Sequence, residues 1–142
     1  MQSLIWVFTV AVVLNYPWEL AQAPLYVGLQ TYDPGVFWHC FVASLGDAVM
    51  VLLIVTVGGI SFHRWNWFQR PSVAGDLVML TAGLILAVLV EWVAVHILER
   101  WAYRESMPTL LGVRIELVPI AQMLFLPPVI FRAAALLISR KT

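Results

Sequence analysis

Four long apolar segments, separated by short polar stretches, dominate the pattern of the chain. They cover about residues 3–26, 36–58, 75–98 and 117–138. A helix of about 20 apolar residues crosses the roughly 30 Å hydrocarbon core of a bilayer, and each segment reaches that length. The pattern predicts an all-α integral membrane protein, in which residues 1–142 form one domain, a four-transmembrane-helix bundle with short loops. Pro127 and Pro128 are expected to kink or break the fourth helix unless neighbouring groups satisfy the carbonyls that they free.

Composition agrees with this pattern. The chain is 62% hydrophobic and 11% charged, whereas soluble domains have about 25% charged residues. Eight basic and eight acidic residues balance, so we expect no nucleic-acid partner, which would need a basic surface. The single cysteine, Cys40, excludes an internal disulfide and a multi-thiolate metal site. A cleaved signal peptide is not expected, because no Lys or Arg precedes the first apolar run and Pro24 would follow the cut.

Basic residues in the flanks indicate an orientation. One side of the membrane would carry Arg64, Arg70, Arg140 and Lys141, and the other Arg100, Arg104 and Arg114. The positive-inside rule then places both termini in the cytoplasm.

The apolar segments contain a few ionisable and amide side chains. Asn15, Glu19 and Gln22 are spaced to share one face of the first helix. The other segments contribute His39, Asp47, Glu91 and Gln122. At about 1.5 Å per helical residue, all these groups fall in the outer half of the bilayer. We therefore expect the four helices to bring them together in one pocket near the outer surface.

Glu19, Asp47, Glu91 and His39 are the candidate catalytic residues. Neighbouring carboxyl groups in a low-dielectric site do not all stay ionised, so we expect at least one to hold a proton, with His39 as a partner. A structural alternative stays open, in which Asp47 bridges two helices and Glu19, as a neutral carboxylic acid, donates a hydrogen bond to a carbonyl freed by Pro17 or Pro24.

A second set of residues is expected to bind a ligand. Its members are Asn15, Trp18, Gln22, Trp92, Tyr103 and Gln122. Trp18 and Trp92 adjoin the carboxylates and are expected to line an apolar pocket, where their rings would stabilise positive charge. The loop over residues 101–108 either covers the polar cluster or forms a turn at the membrane surface.

The cofactor is open at this point. Carboxylates with an imidazole suit iron, manganese or zinc, and four-helix bundles build such sites from inward-facing Glu and His. The Glu-x-x-His pair typical of those sites is absent from the sequence. The candidate ligands to a divalent metal are Glu19, His39, Asp47 and Glu91.

Three groups of motifs carry a resemblance. They are His39-Cys40 with Gly46-Asp47, Pro17-Trp18-Glu19 with Gln22-Ala23-Pro24-Leu25-Tyr26, and Trp101-x-Tyr103 with Met107-Pro108. With them the chain resembles a set of small bacterial inner-membrane proteins of four helices. The resemblance covers most of the chain and implies the same topology and candidate residues, but no activity.

Three classes of function follow from the polar cluster. The first is an acid/base or metal-assisted enzyme, or a binding protein, for a lipophilic small molecule that enters from the outer leaflet. The second is an accessory or assembly subunit of a larger membrane complex. The third is a proton-coupled carrier, which would need a homo-oligomer because four helices are few for an alternating-access path. Membrane lipids surround the chain in each case.

Overall fold

The computed structural model describes residues 2–70, 72–109 and 116–140, and four long helices account for most of them. The helices are α1 (Gln2–Gln22), α2 (Pro34–Phe62), α3 (Val73–Trp92) and α4 (Leu117–Ser139). With short helical extensions, the stretches Gln2–Leu25, Pro34–Phe62, Val73–Ile97 and Leu117–Ser139 are long and apolar enough to span a membrane. The prediction of an all-α chain with four such helices is confirmed. Arg114 and Lys141, which entered the orientation argument, lie outside the described residues.

Polar caps determine where α2 and α3 begin. Asp33 Oδ1 accepts hydrogen bonds from the backbone N–H groups of Gly35 at 2.8 Å and Val36 at 3.0 Å. Ser72 Oγ accepts one from the Gly75 N–H at 3.1 Å. Such side-chain oxygens satisfy N–H groups that lack partners in the first helical turn. They start both helices two residues earlier than the hydrophobic pattern predicts.

The glycine pair at the end of the second apolar segment does not end α2. A Cβ at Gly58 would lie 2.1 Å from Trp67 Cε2, so the indole occupies the space that a side chain would need. Trp67 Nε1 donates to the Val55 carbonyl at 2.9 Å. The helix continues to Phe62 and ends at His63 in the left-handed conformation, with φ at 53°. Gly58 therefore provides a contact surface for Trp67.

Proline inside the helices does not break them. Pro17 lies within α1, and Pro127 and Pro128 lie within α4, which runs as one helix from Leu117 to Ser139. The expected interruption of the fourth helix at this pair is not present, because the alternative condition, support from neighbouring groups, is met. Each proline removes one backbone donor, and packing against neighbouring helices maintains the helix despite that loss. Buried Ile130 and Phe131 anchor the segment beyond the pair.

The bundle has an apolar part and a polar part. Helix α1 packs on α2 and α4, and α3 packs on α4 and α2. The apolar core includes Val7, Ala11, Val51, Ile54 and Ile130. Toward the carboxyl end of α1 the buried residues become polar, beginning with Asn15.

A glycine brings α3 and α4 together beside that polar part. A Cβ at Gly83 would lie 2.5 Å from the Met123 carbonyl oxygen. Only a residue without a side chain allows the two backbones to approach this closely. The neighbouring residue on α4 is Gln122, so this contact fixes the position of the amide that organises the site.

Candidate functional site

Gln122 is the centre of a buried hydrogen-bond network that joins three helices. Its Nε2 lies 2.8 Å from Asn15 Oδ1 and 3.0 Å from Glu19 Oε1, both on α1. The same nitrogen lies 2.8 Å from Asp47 Oδ2 on α2. Only 2% of Gln122 is exposed, and Glu19 and Asp47 are each 8% exposed. The Gln122 amide therefore lies within hydrogen-bond distance of two carboxyl groups that water reaches poorly.

Gln22 and Asn15 complete this network from α1. Gln22 Nε2 donates to Glu19 Oε1 at 2.6 Å and approaches Gln122 Oε1 at 3.4 Å. Asn15 Nδ2 donates to the Ala11 carbonyl at 2.8 Å, which leaves its Oδ1 facing Gln122. The spacing of Asn15, Glu19 and Gln22 on one helical face produces this arrangement directly. The carboxyl groups of Glu19 and Asp47 are also within hydrogen-bond reach of each other.

A second polar cluster holds the loop after α3 against the helix end. The Tyr103 hydroxyl donates to Glu91 Oε2, and Trp101 Nε1 lies 3.1 Å from the Tyr103 oxygen and 3.5 Å from Glu91 Oε2. Two donors thus face one carboxylate. Burial raises the pKa of Tyr103 above its ordinary value, and the hydrogen bond to Glu91 acts in the same direction. Tyr103 therefore keeps the proton that it donates.

The same loop is tied to the segment that follows α1. Val27 N–H donates to the Ala102 carbonyl at 2.9 Å, and Arg104 N–H donates to the Leu25 carbonyl at 2.9 Å. The rings of Tyr26 and Tyr103 lie 4.7 Å apart. Burial also raises the pKa of Tyr26. Of the two predictions for residues 101–108, the structure supports a cover over the cluster.

A cavity of about 600 Å³ lies between the two clusters. Pockets for small molecules commonly have about 300–1,000 Å³. Its polar lining is Glu19, Gln22, His39, Asp47, Glu91, Arg100 and Gln122. Its remaining lining is mostly apolar or aromatic and includes Tyr26, Leu29, Val42, Ala43, Met50, Ala87, Val90, Trp101 and Met123. The cavity thus combines an apolar body with a few acidic and amide groups.

The cavity opens along one stripe of α2. His39, Val42 and Gly46 follow a helical spacing, line the cavity and are exposed. A Cβ built on Gly46 meets no atom within 4 Å. This side of the cavity faces the surroundings of the bundle between α2 and α3.

The structure distributes the predicted site residues over three places. Asn15, Glu19, Gln22, Asp47 and Gln122 share the first network, and Glu91 and Tyr103 share the second. His39 lies at the exposed edge of the cavity, with no side-chain hydrogen bond to the described residues.

The two tryptophans expected to line the pocket are not on its wall. Trp18 is half-buried, and its Nε1 has no partner among the described residues. Trp92 is 55% exposed and stacks on His96 with ring centroids 6.3 Å apart. Each tryptophan is one residue from an inward carboxylate, and one residue turns a side chain by about 100° around the helix. Tyr26 and Trp101 provide the aromatic lining instead.

The candidate metal ligands do not form one ligand group. In residues 2–70, 72–109 and 116–140, no three His, Cys, Asp or Glu side chains lie close enough to hold one metal ion. Glu19 and Asp47 are adjacent, whereas His39 lies at the exposed edge and Glu91 is held by Tyr103 and Trp101. The four candidate ligands are therefore spread over three places in the described part of the chain.

Sequence reasoning missed Tyr26 and Arg100 as parts of the site. Tyr26 ends the first apolar segment, Arg100 follows the third, and both line the cavity. The alternation in Trp101-x-Tyr103 indicates an extended stretch. It does not indicate that this stretch pairs with Tyr26, which lies far away in the chain.

No protein-family model matches the chain, and no curated protein or solved structure matches it either.

Proposed function

We propose that this protein is a membrane-embedded acid/base enzyme that moves a proton on a lipophilic small molecule. One observation carries the proposal: Glu19 and Asp47, joined by Gln122, lie side by side in the wall of a cavity of about 600 Å³ whose lining is otherwise mostly apolar. Ionisable groups buried in a membrane segment are costly and commonly serve function.

The carboxyl pair has the chemistry of a proton donor beside a proton acceptor. An ionised carboxylate only accepts hydrogen bonds, so two carboxyl groups within hydrogen-bond reach of each other need one shared proton. The protonated member donates to the substrate as a general acid, and the ionised member removes a proton as a general base. Opposite protonation of two adjacent carboxyl groups is a recurring way to divide these roles.

The simplest reaction for this pair is a proton shift, such as migration of a double bond. Glu19 or Asp47 gives its proton to one carbon, and the other carboxylate takes a proton from a second carbon. The substrate keeps its atoms and electrons, and the pair ends with the one proton that it had. No co-reactant is needed.

The position of the opening supports entry from the bilayer. Val42 and Gly46 lie at the open edge of the cavity, on a helix long and apolar enough to cross a membrane. A lipophilic molecule dissolved in the membrane would therefore reach the carboxyl pair sideways, between α2 and α3.

We further propose that the protein resides in a bacterial inner membrane with both termini in the cytoplasm. An even number of spans puts the termini on one side, and the flanking Arg64, Arg70 and Arg140 favour the cytoplasm. A green fluorescent protein fused to the carboxyl terminus should fluoresce. A non-fluorescent fusion, combined with an active alkaline phosphatase fusion at the same terminus, would show that the termini lie on the opposite side of the membrane.

Deuterium incorporation tests the enzymatic proposal without knowledge of the substrate. The protein is reconstituted with a lipid extract of cells that produce it, in D2O, and the extract is analysed by mass spectrometry. A proton shift that exchanges with solvent adds deuterium to carbon in one lipophilic compound. Glu19→Gln and Asp47→Asn should each reduce this incorporation at least 100-fold, the lower range for loss of general acid–base catalysis.

Glu105→Gln is the matched control, because Glu105 is exposed and makes no described side-chain hydrogen bond. It should label the compound at the wild-type rate. If no compound gains deuterium from wild-type protein, or if both site variants label it as fast as wild type, the enzymatic proposal is wrong.

A further inference from the structure

We propose that the lipophilic ligand of this cavity carries a head group that donates hydrogen bonds, either a hydroxyl or a protonated amine. This inference rests on the proposed function and adds the class of ligand. It follows from the balance of donors and acceptors at the buried end of the cavity, where Glu19, Gln22, Asp47 and Gln122 meet.

Acceptors outnumber donors in that network. Gln122 Nε2 has two hydrogens, yet three oxygens lie within 3.0 Å of it. Gln22 Oε1 is enclosed and receives no hydrogen bond from the described residues. Asn15 directs an N–H to the Ala11 carbonyl. The amide groups therefore cannot satisfy all the oxygen atoms of the two carboxyl groups.

The shared proton of the carboxyl pair reduces this shortage without removing it. Each carboxyl group has two oxygens, and the described amides reach Oε1 of Glu19 and Oδ2 of Asp47. Aside from the contact between the carboxyl groups, the other two oxygens receive no hydrogen bond from the described residues. Both residues line the cavity, so a ligand can approach this end of it.

The charge of the cavity wall favours the same kind of head group. Glu91 already accepts hydrogen bonds from Tyr103 and Trp101, whereas the Glu19–Asp47 pair, with the one shared proton of the proposed function, keeps a negative charge and lacks donors. Arg100 is the one Lys or Arg side chain among the described lining residues, and it is exposed. A head group with only acceptor atoms would leave the buried oxygens unpaired, which costs affinity.

Three amphiphiles with the same chain test the inference: dodecanol, dodecyl methyl ether and dodecylamine. The full chain is placed in phosphatidylcholine nanodiscs, and bound amphiphile is measured by native mass spectrometry at equal concentrations. Dodecanol or dodecylamine should bind about tenfold more tightly than the ether, a difference of about 1.4 kcal/mol. Preference for the amine identifies a cationic ligand, and preference for the alcohol identifies a hydroxyl; both support the inference.

Two variants separate this inference from the proposed function. Gly46→Leu adds a side chain at the opening, where a Cβ meets nothing within 4 Å, and should reduce binding of all three amphiphiles at least fivefold. Asp47→Asn replaces an acceptor oxygen by a donor group. It should reduce the preference for dodecanol or dodecylamine over dodecyl methyl ether to less than threefold.

The outcomes are distinct. If the ether binds as tightly as both donor amphiphiles, and Gly46→Leu weakens all three, the cavity binds lipophilic ligands but the inference about the head group is wrong. If Gly46→Leu changes no binding, the amphiphiles do not occupy the cavity, and both the inference and the proposed lipophilic site are wrong.

Discussion

Replacing Gln122 by leucine removes the amide that links α4 to the carboxyl pair. Its Nε2 has two hydrogens to distribute among Asn15, Glu19 and Asp47, all within 3.0 Å. Each hydrogen bond within a membrane bundle contributes about 0.6 kcal/mol on average, and about 1 kcal/mol is typical of soluble proteins. Gln122→Leu should therefore lower the free energy of unfolding by about 1–2 kcal/mol.

A second substitution shows whether the loss comes from the carboxyl pair. Asp47→Asn in the Gln122→Leu background supplies a new donor for Glu19 and removes one acid. It should restore at least half of the lost stability, because directly contacting residues are energetically coupled. Unfolding is followed by circular dichroism during titration of dodecylmaltoside micelles with SDS.

Gln69→Leu is the control, since Gln69 is half-buried and its side chain makes no described hydrogen bond. It should change stability by less than about 0.5 kcal/mol. If Gln122→Leu is as mild as this control, the Gln122 hydrogen bonds do not stabilise the bundle. If Asp47→Asn lowers the free energy of unfolding equally in the wild-type and Gln122→Leu proteins, Gln122 and Asp47 are not coupled.

Three further predictions concern the loop and the α2 terminus. Tyr103→Phe removes the hydroxyl that holds the loop to α3. Hydrogen-exchange mass spectrometry should show at least fivefold faster exchange over residues 101–107, and unchanged exchange would show that Tyr103 does not hold this loop over the cluster. Burial raises the pKa of Tyr26 and Tyr103. Their contribution to stability is therefore complete below pH about 10 and is lost above it, by about 1.4 kcal/mol per pH unit for each tyrosine. Absorbance titration, with Tyr26→Phe and Tyr103→Phe to assign the signals, should show that the pKa of both tyrosines lies above the ordinary tyrosine value; ionisation of both at the ordinary value would contradict this. Gly58→Ala places a Cβ 2.1 Å from Trp67 and should destabilise by about 2 kcal/mol. At Gly59 the atom nearest to an added Cβ belongs to the exposed Trp65 ring, at 3.1 Å, so Gly59→Ala should be nearly neutral in the same unfolding assay. Equal effects of the two substitutions would show that Trp67 does not require the space at Gly58.

The number and type of helices were predictable because hydrophobic length alone identifies a segment that can cross a bilayer. Helix ends were less predictable. The pair Gly58 and Gly59 has the composition of a helix terminus, yet Trp67 packs against Gly58 and the helix continues to Phe62. The proline pair in α4 was misjudged for a related reason, since packing by other helices is not visible in local sequence.

The level of the candidate site along the helices was predictable, but the rotation of each side chain about its helix was not. The spacing of Asn15, Glu19 and Gln22 indicated a shared face, and these residues do meet Gln122. Trp18 and Trp92 lie at a similar level along their helices, but their rings are not on the cavity wall. The contact between Tyr26 and Tyr103 depends on two loops pairing in space, which no periodic pattern records.

Infrared spectroscopy of the carboxyl groups tests the central claim, that Glu19 and Asp47 form one proton-sharing pair. Reconstituted wild-type protein at neutral pH should show the C=O stretch of one protonated, hydrogen-bonded carboxyl group. Glu19→Gln and Asp47→Asn should each alter that band, because each removes one partner of the shared proton, while Glu105→Gln should leave it unchanged. A wild-type spectrum without a protonated carboxyl band, or a band that survives both site substitutions unaltered, would contradict the account.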